Sequence, residues 1–179
     1  VKNNQVASSR SGIWIEGSVA SAEIDSNTVT NSGGGIQLSL NTTGLFEVKS
    51  NHVTSCGYGI SFQSSSGPAI EVDDNTITDS GSGLSFLGSS GRCYVRRNTV
   101  TGGTYGLFDN SQLDLHVEGN TFAGGAGDGV TVRRGEVVRN EIRNYGGAGI
   151  SATDSGYGPP VLLYNNVHDN GKGISGKQM

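Results

Sequence analysis

The sequence has little of what a membrane span, a disulfide-stabilised fold or a nucleic-acid site requires. Its 179 residues include 2 Cys, 3 Pro and 1 Trp, and only 16% of them are charged. No run of about 18 apolar residues occurs, so no membrane span is expected. The formal net charge is −4 and the sequence pI is about 5.3. Nucleic acid is not an expected partner, because the chain has no overall basic footprint.

Helical periodicity is also absent, since no window of ten or more residues has apolar residues at helical spacing. The 30 Gly, together with abundant Ser, Thr and Asn, are compatible with disorder. Against that, apolar and polar residues alternate in short runs such as Ile13-Trp14-Ile15 and Ile70-Glu71-Val72. This alternation predicts short strands with one buried face.

One unit of 20 to 25 residues recurs along the whole chain. Each unit contains an Asn with an apolar residue two positions later, and a Gly-aliphatic pair eight or nine positions after the Asn. Most units have a further apolar residue three positions before the Asn. The Asn residues are Asn4, Asn27, Asn51, Asn75, Asn98, Asn120, Asn140 and Asn165. Self-similarity at this period indicates a solenoid.

Each unit is predicted to hold three short strands. The first begins at the Gly-aliphatic pair, the second ends three residues before the Asn, and the third is Asn-x-apolar. Such a unit travels once round a triangle, and each strand then pairs in parallel with its equivalent about 4.8 Å away. A stack buries the inner face that one coil cannot bury alone. We expect one all-β domain over residues 1–179, a parallel β-helix of about eight coils and roughly 34 Å tall.

The Asn, apolar and Gly-aliphatic columns resemble the right-handed parallel β-helix repeat of the pectin lyase-like superfamily, including its CASH and NosD-type repeats. The resemblance covers nearly the whole chain and implies a right-handed coil. In that family the short turn between the second and third strands carries an Asn ladder, and the Asn residues above match its position. Stacked amides hydrogen-bond along such a column. The resemblance also implies a secreted, periplasmic or cell-surface protein that is active on polysaccharide.

The cysteines are not expected to pair. Cys93 comes five residues before Asn98, in a column of apolar residues, and is therefore expected to be buried. Cys56 lies in a turn at a different corner of the neighbouring coil, so no disulfide is predicted.

The outward face of the first strand is neutral. In enzymes of the superfamily, the sugar-binding groove usually lies along this strand and its flanking turns. Here the face lacks the acid, base or Arg constellation of a lyase, epimerase or hydrolase. Aromatic rings beside polar groups nevertheless suit sugar recognition. The alternative interpretation is that these residues are ordinary surface side chains of the turns. The candidate sugar-binding residues are Tyr105, Phe108, Asp109, Asp128, Arg133, Arg134, Asp154 and Tyr157.

The outward face of the second strand carries most of the charge. One column alternates in sign, which favours salt bridges between coils on a solvated face. Two other interpretations stay open. The first is a calcium site among Glu47, Glu71 and Asp73, because calcium prefers hard oxygen ligands. No other cofactor is expected. Catalysis on acidic polysaccharide is the second, with candidate residues Asp73, Asp74, Arg96, Arg97 and His116.

Three functions are compatible with these patterns. The leading hypothesis is glycan recognition by a segment of a polysaccharide-active protein, without catalysis in this segment. The second is a non-enzymatic scaffold that pairs with another chain. The third is a polysaccharide lyase, epimerase or hydrolase that uses the second-strand face. The first rests on analogy at the level of the fold.

The last unit predicts an apolar patch near the C-terminal end. If Leu162 points inward, then Val161 and Leu163 point outward beside Val138 of the preceding coil. The unit also lacks an amphipathic cap, and the open end of a parallel stack presents unpaired strand edges. We therefore expect further polypeptide, or a partner subunit, to cover this end.

Overall fold

The computed structural model describes residues 1–153, 156 and 158–176, and its regular elements are all β-strands. The first ten strands are β1 (Gln5–Ala7), β2 (Ile13–Val19), β3 (Ala22–Asp25), β4 (Thr28–Thr30), β5 (Ile36–Thr42), β6 (Leu45–Lys49), β7 (His52–Thr54), β8 (Ile60–Gln63), β9 (Ser66–Asp73) and β10 (Thr76–Thr78). The others are β11 (Ser82–Arg96), β12 (Thr99–Thr101), β13 (Tyr105–Glu118), β14 (Thr121–Gly125), β15 (Val130–Val132), β16 (Gly135–Val138), β17 (Glu141–Tyr145), β18 (Ala148–Ala152), β19 (Val161–Leu163), β20 (Asn166–His168) and β21 (Lys172–Gly176). Within these described ranges there is no helix of the length and apolarity needed to cross a membrane.

The strands form a parallel solenoid in which each strand pairs with its equivalent in the next coil. The third strands make an 8-stranded sheet in the order β1-β4-β7-β10-β12-β14-β17-β20. The first and second strands share a 13-stranded sheet. The register keeps equivalent residues aligned, so that Ile77 lies beside Val53 in one coil and Val100 in the next. The predicted all-β parallel coil is confirmed.

The boundary between the first and second strands differs from the sequence prediction. In coils four and five the two strands run together as the long strands β11 and β13, instead of ending at a loop. The pairing of these strands continues through the corner, with a register shift between Leu87 and Ser90. Such a bulge bends a strand without ending it. In coil six only Arg133 and Arg134 separate β15 from β16.

The core is a set of apolar columns that run the length of the stack. In the column of the second strands, the fully buried residues are Val48, Val72, Val95, Val117 and Val137. In the column of the first strands, they are Ile36, Ile60, Leu84, Leu107, Val130 and Ile150. The rings of Phe62 and Phe86 stack inside it with centroids 4.9 Å apart. Cys93 is buried in the predicted apolar column, and both cysteines are free. Each coil is thus held by its neighbours.

The predicted Asn ladder is confirmed over all of its members. Each side-chain Nδ2 donates to the Oδ1 of the next Asn, at 2.9 to 3.0 Å from Asn4 to Asn165. Most members also donate to a carbonyl of the preceding coil, as Asn75 does to Val48 O at 2.9 Å. The ladder satisfies amides that are buried at the corner between the second and third strands.

The predicted apolar patch near the C-terminal end is smaller than expected. Val161 and Leu163 are exposed by 47% and 43%, but Val138 is only 7% exposed. Val138 lies between Glu118 in one coil and Leu163 in the next, and these neighbours cover it. The patch therefore belongs to the last coil alone, and its cover by further polypeptide stays a prediction.

Candidate functional site

A cavity of about 380 Å³ lies at the corner between the first and second strands of coils four to six. We call it the corner cleft. It is lined by Gly88, Ser90, Asn110, Ser111, Gln112, Arg133 and Arg134. Its lining is polar, and it contains two of the sugar-binding residues that the sequence predicts.

The cleft results from unequal lengths of the coils at this corner. Strands β11 and β13 carry coils four and five round it with extra residues, whereas coil six turns within Arg133 and Arg134. The tight turn requires a glycine at position 135, where φ is +98° and an added Cβ would lie 2.7 Å from Leu115 N. Because coil six has the shorter corner, its two arginines lie beside the projecting corners of the coils below.

Arg133 has a charged side chain with few partners. Its Nη1 donates to Asn110 Oδ1 at 2.7 Å, and its buried Nε has no hydrogen-bond partner in the described part of the chain. No described carboxylate forms a salt bridge with it, while Arg134 Nε lies 3.9 Å from Asp114 Oδ1. The Arg133 guanidinium therefore keeps donors for a ligand in the cleft.

Asp109 is a correction to the predicted contact set. It is 2% exposed, and its carboxylate accepts hydrogen bonds from Ser111 N, Ser111 Oγ and the main-chain N of Arg133. Burial raises its pKa, although these hydrogen bonds act in the opposite direction. Asp109 points inward because it follows the outward Phe108 in a strand, and its hydrogen bonds hold the corner on which Arg133 lies.

An aromatic pair lies on the first-strand face, earlier in β13 than the residues that line the cleft. The rings of Tyr105 and Phe108 have centroids 5.3 Å apart and are half-buried. Phe108 lies in register with Ser85 and Thr131. Asn110 follows Phe108 by two residues on the same face, about 7 Å away. The pair thus supplies ring surface next to the polar lining of the cleft.

Of the remaining predicted sugar contacts, the structure describes Asp128 alone, and this residue does not line the cleft. Asp128 lies before the first strand of coil six, where its Oδ1 accepts a hydrogen bond from Ala148 N at 2.7 Å. Asp154 and Tyr157 lie outside the described residues.

Sequence reasoning missed five residues of the lining, and three of these, Ser90, Asn110 and Gln112, have polar side chains at its surface. All three are exposed. Their signal was the alternation of inward and outward residues, which continues from Phe108 through Asn110 to Gln112. Because the first strand is predicted to end before this corner, the alternation is not expected to reach these residues.

The second-strand face carries a network of salt bridges between coils. Arg96 Nη2 lies 2.7 Å from Asp73 Oδ2 and 2.9 Å from Glu71 Oε2. Arg97 Nη2 lies 2.8 Å from Asp74 Oδ2, and this hydrogen bond lowers the pKa of Asp74. A lowered pKa is opposite to what a general acid needs.

The carboxylates considered for calcium are each paired with a protein cation. Glu47 Oε1 lies 3.4 Å from Lys49 Nζ, Arg96 contacts both Glu71 and Asp73, and Arg97 also contacts Asp73. In the described residues, no three metal-ligating side chains converge. These contacts favour the interpretation of this face as a salt-bridge ladder.

His116, the remaining catalytic candidate, borders a smaller cavity of about 250 Å³ on the second-strand face. Its Nδ1 lies 3.1 Å from Glu136 Oε2 and its Nε2 lies 3.4 Å from Glu118 Oε2. The hydrogen bond with His116 and the one with Arg139 lower the pKa of Glu118. The structure thus places His116 on the same face as Arg96 and Asp73, but between carboxylates of its own.

The comparisons with known proteins agree with this architecture and with the resemblance to the pectin lyase-like superfamily. No curated protein and no solved structure matches the chain. The model of the family described as "right handed beta helix region" matches residues 37–177, and the chain therefore belongs to the right-handed β-helix family.

Proposed function

We propose that the protein binds an acidic glycan in the corner cleft, as part of a secreted, periplasmic or cell-surface protein. The observation that supports this most is the Arg133 guanidinium, which lines a polar cleft without a described carboxylate partner. The chain carries a net charge of −4, so the attraction of this cleft for an anion comes from its own arginines, and its polar side chains favour an anion that also carries hydroxyl groups.

The chemistry of the lining fits a sugar that bears a carboxylate or a sulfate. Arg133 and Arg134 donate to the anionic group, and charge-assisted hydrogen bonds of this kind are the strongest that a side chain makes. Ser90, Asn110 and Gln112 exchange hydrogen bonds with hydroxyls. The Phe108 ring covers a C–H face of the neighbouring sugar.

The test is an array of neutral and acidic oligosaccharides, followed by calorimetry on Arg133→Ala. We expect binding to acidic members, weakened about ten- to a hundredfold in the variant, since one charge-assisted hydrogen bond contributes about 1.5–3 kcal/mol. Arg143→Ala is the matched control, because Arg143 is a half-buried arginine on the third-strand face. Equal affinity of both variants, or binding to neutral members alone, would contradict the proposal.

A non-enzymatic scaffold is the second candidate. The observation that favours it is the internal pairing of the charged residues on the second-strand face, which leaves that face with a structural role. An assay for release of reducing or unsaturated uronate ends separates the alternatives. Binding without release supports the first proposal, absence of both supports the scaffold, and release supports an enzyme.

A further inference from the structure

A second cavity of the first-strand face has a lining that differs from that of the corner cleft. It measures about 200 Å³, lies on coils one to three, and is lined by Trp14, Gln37, Leu38, Ser39 and Gln63. Trp14 is 65% exposed, although it is the largest apolar side chain of the protein. A large exposed ring beside two primary amides combines the apolar surface and the hydrogen-bonding groups that a sugar ring needs.

The register places these groups side by side. Trp14 in β2 lies directly beside Gln37 in β5. Ser39 lies beside Glu16, an exposed carboxylate at the rim of the cavity. No Lys or Arg belongs to the described lining. The cavity thus offers a ring, amide donors and acceptors, and a nearby negative charge.

We propose that this cavity is a second glycan subsite, specific for an uncharged sugar ring of the same chain that the corner cleft holds by its acid group. The inference rests on the proposed function. The indole stacks on the C–H face of the ring, and the amides of Gln37 and Gln63 bind its hydroxyls. Glu16 repels an acidic sugar at this position.

The second subsite lies on the first-strand face, and the corner cleft lies at the edge where this face meets the second strands. Five coil steps separate Trp14 from Arg133, which is about 24 Å along the stack. Between them, the first strands carry the small side chains of Ser61 and Ser85, which are 1% and 3% exposed. Two linked subsites bind a long chain more tightly than either binds a fragment. The ligand class is therefore a heteropolysaccharide that contains both acidic and uncharged sugars.

Trp14 is the single tryptophan of the chain, so its fluorescence reports on this subsite directly. The probes are a decasaccharide of hyaluronan, in which uronate alternates with an uncharged sugar, and an oligogalacturonide of equal length, in which every sugar is acidic. We expect the hyaluronan chain to change Trp14 emission saturably, and the oligogalacturonide to bind without that change. A hyaluronan disaccharide, too short to reach both subsites, should bind more weakly than the decasaccharide.

Calorimetry on variants separates this inference from the proposed function. Trp14→Ala should lower the affinity for the hyaluronan decasaccharide about five- to tenfold and leave the affinity for the oligogalacturonide unchanged. Tyr164→Ala, which removes a 78% exposed ring of the last coil, is the control and should change neither affinity. Binding that depends on Arg133 but not on Trp14 would overturn this inference alone. Absence of binding by either probe at millimolar concentration would overturn both proposals.

Discussion

Asn75 illustrates how one side chain holds three coils together. Its Nδ2 donates to Val48 O, Asp73 O and Asn98 Oδ1 at 2.9, 3.0 and 2.9 Å. Its Oδ1 accepts from both Asn51 N and Asn51 Nδ2 at 3.0 and 2.9 Å. Because all these groups are buried, removal of the amide leaves partners above and below without hydrogen bonds.

We predict that Asn75→Ala lowers the free energy of unfolding by at least about 3 kcal/mol, since each unpaired buried group costs about 1–3 kcal/mol. Asn31→Ala is the comparison. Asn31 is exposed and has a φ of +50°, so alanine there costs only about 1 kcal/mol of backbone strain. Urea denaturation measures both variants, and equal losses would contradict the inward ladder.

The ladder could be predicted from sequence because the spacing of one residue type reveals it. The turns that flank it could not. The residue before each ladder Asn and the residue four positions after it all have positive φ. These positions are occupied by residues as different as Ser50, Arg97 and Tyr164. Most of the other positions hold Gly, Asn, Asp or Ser, which favour turns, but residue type alone does not predict positive φ at Arg97 or Tyr164, and at Arg97 a hydrogen bond with the neighbouring coil holds this backbone.

At the scale of the element, the Gly before each first strand is required by the approach of the next coil. An added Cβ at Gly59 would meet the Gly83 carbonyl oxygen and lie 2.7 Å from Ile77 Cγ2. The equivalent Gly173 in the last coil has no atom within 4 Å of that position. These two glycines occupy the same place in the repeat, so they form a matched pair.

We predict that Gly59→Ala destabilises the protein by about 1–3 kcal/mol through overpacking, whereas Gly173→Ala is nearly neutral. Thermal unfolding followed by circular dichroism measures both. A neutral Gly59→Ala would show that the close approach of the coils is not what selects glycine in this column.

The sheet of third strands contains a pH-dependent contact between its last coils. His168 Nε2 lies 2.7 Å from Glu141 Oε1 and Nδ1 lies 2.7 Å from Asp169 Oδ2. The hydrogen bond with Glu141, and then that with Asp169, raises the pKa of His168 above 6.5. A raised folded-state pKa stabilises the protein fully below pH 6.5. That stability is lost as the pH rises through the folded pKa.

We therefore predict that His168→Gln lowers the melting temperature more at pH 5.5 than at pH 8.5. The control is His52→Gln, because the His52 ring contacts the Thr54 hydroxyl in the same sheet and not a carboxylate. Melting temperatures at the two pH values give the result. An equal loss at both would contradict the role of the protonated ring.

Strand positions and registers could be predicted from sequence, because apolar residues recur at fixed offsets from the ladder Asn. The corner cleft could be predicted only in part. Arg133 and Arg134 were recognised by their type. The inward direction of Asp109 and the contribution of Asn110 depend on β13 continuing through the corner, and that continuity is set by pairing with β11.

At the scale of the molecule, the faces of the solenoid carry different chemistry. The second-strand face pairs its own charges, and the third-strand face carries regular Thr side chains in β4, β10 and β12. The first-strand face carries the exposed Trp14 ring in a cavity of its own, and the half-buried Phe108 ring lies on the same face, in the strand that leads to the corner cleft. A glycan bound through Arg133 should also bind less tightly at high salt, because salt screens the charge of an accessible cleft.

The position of a bound sugar tests the central claim most directly. A crystal structure of the protein with an acidic oligosaccharide should show the chain along the first-strand face, with an acidic group within hydrogen-bond distance of Arg133. The same crystals of Arg133→Ala should lose the sugar from the corner cleft. Sugar bound to the Thr side chains of the third-strand face, or a cleft that stays empty at saturating concentrations, would contradict the account.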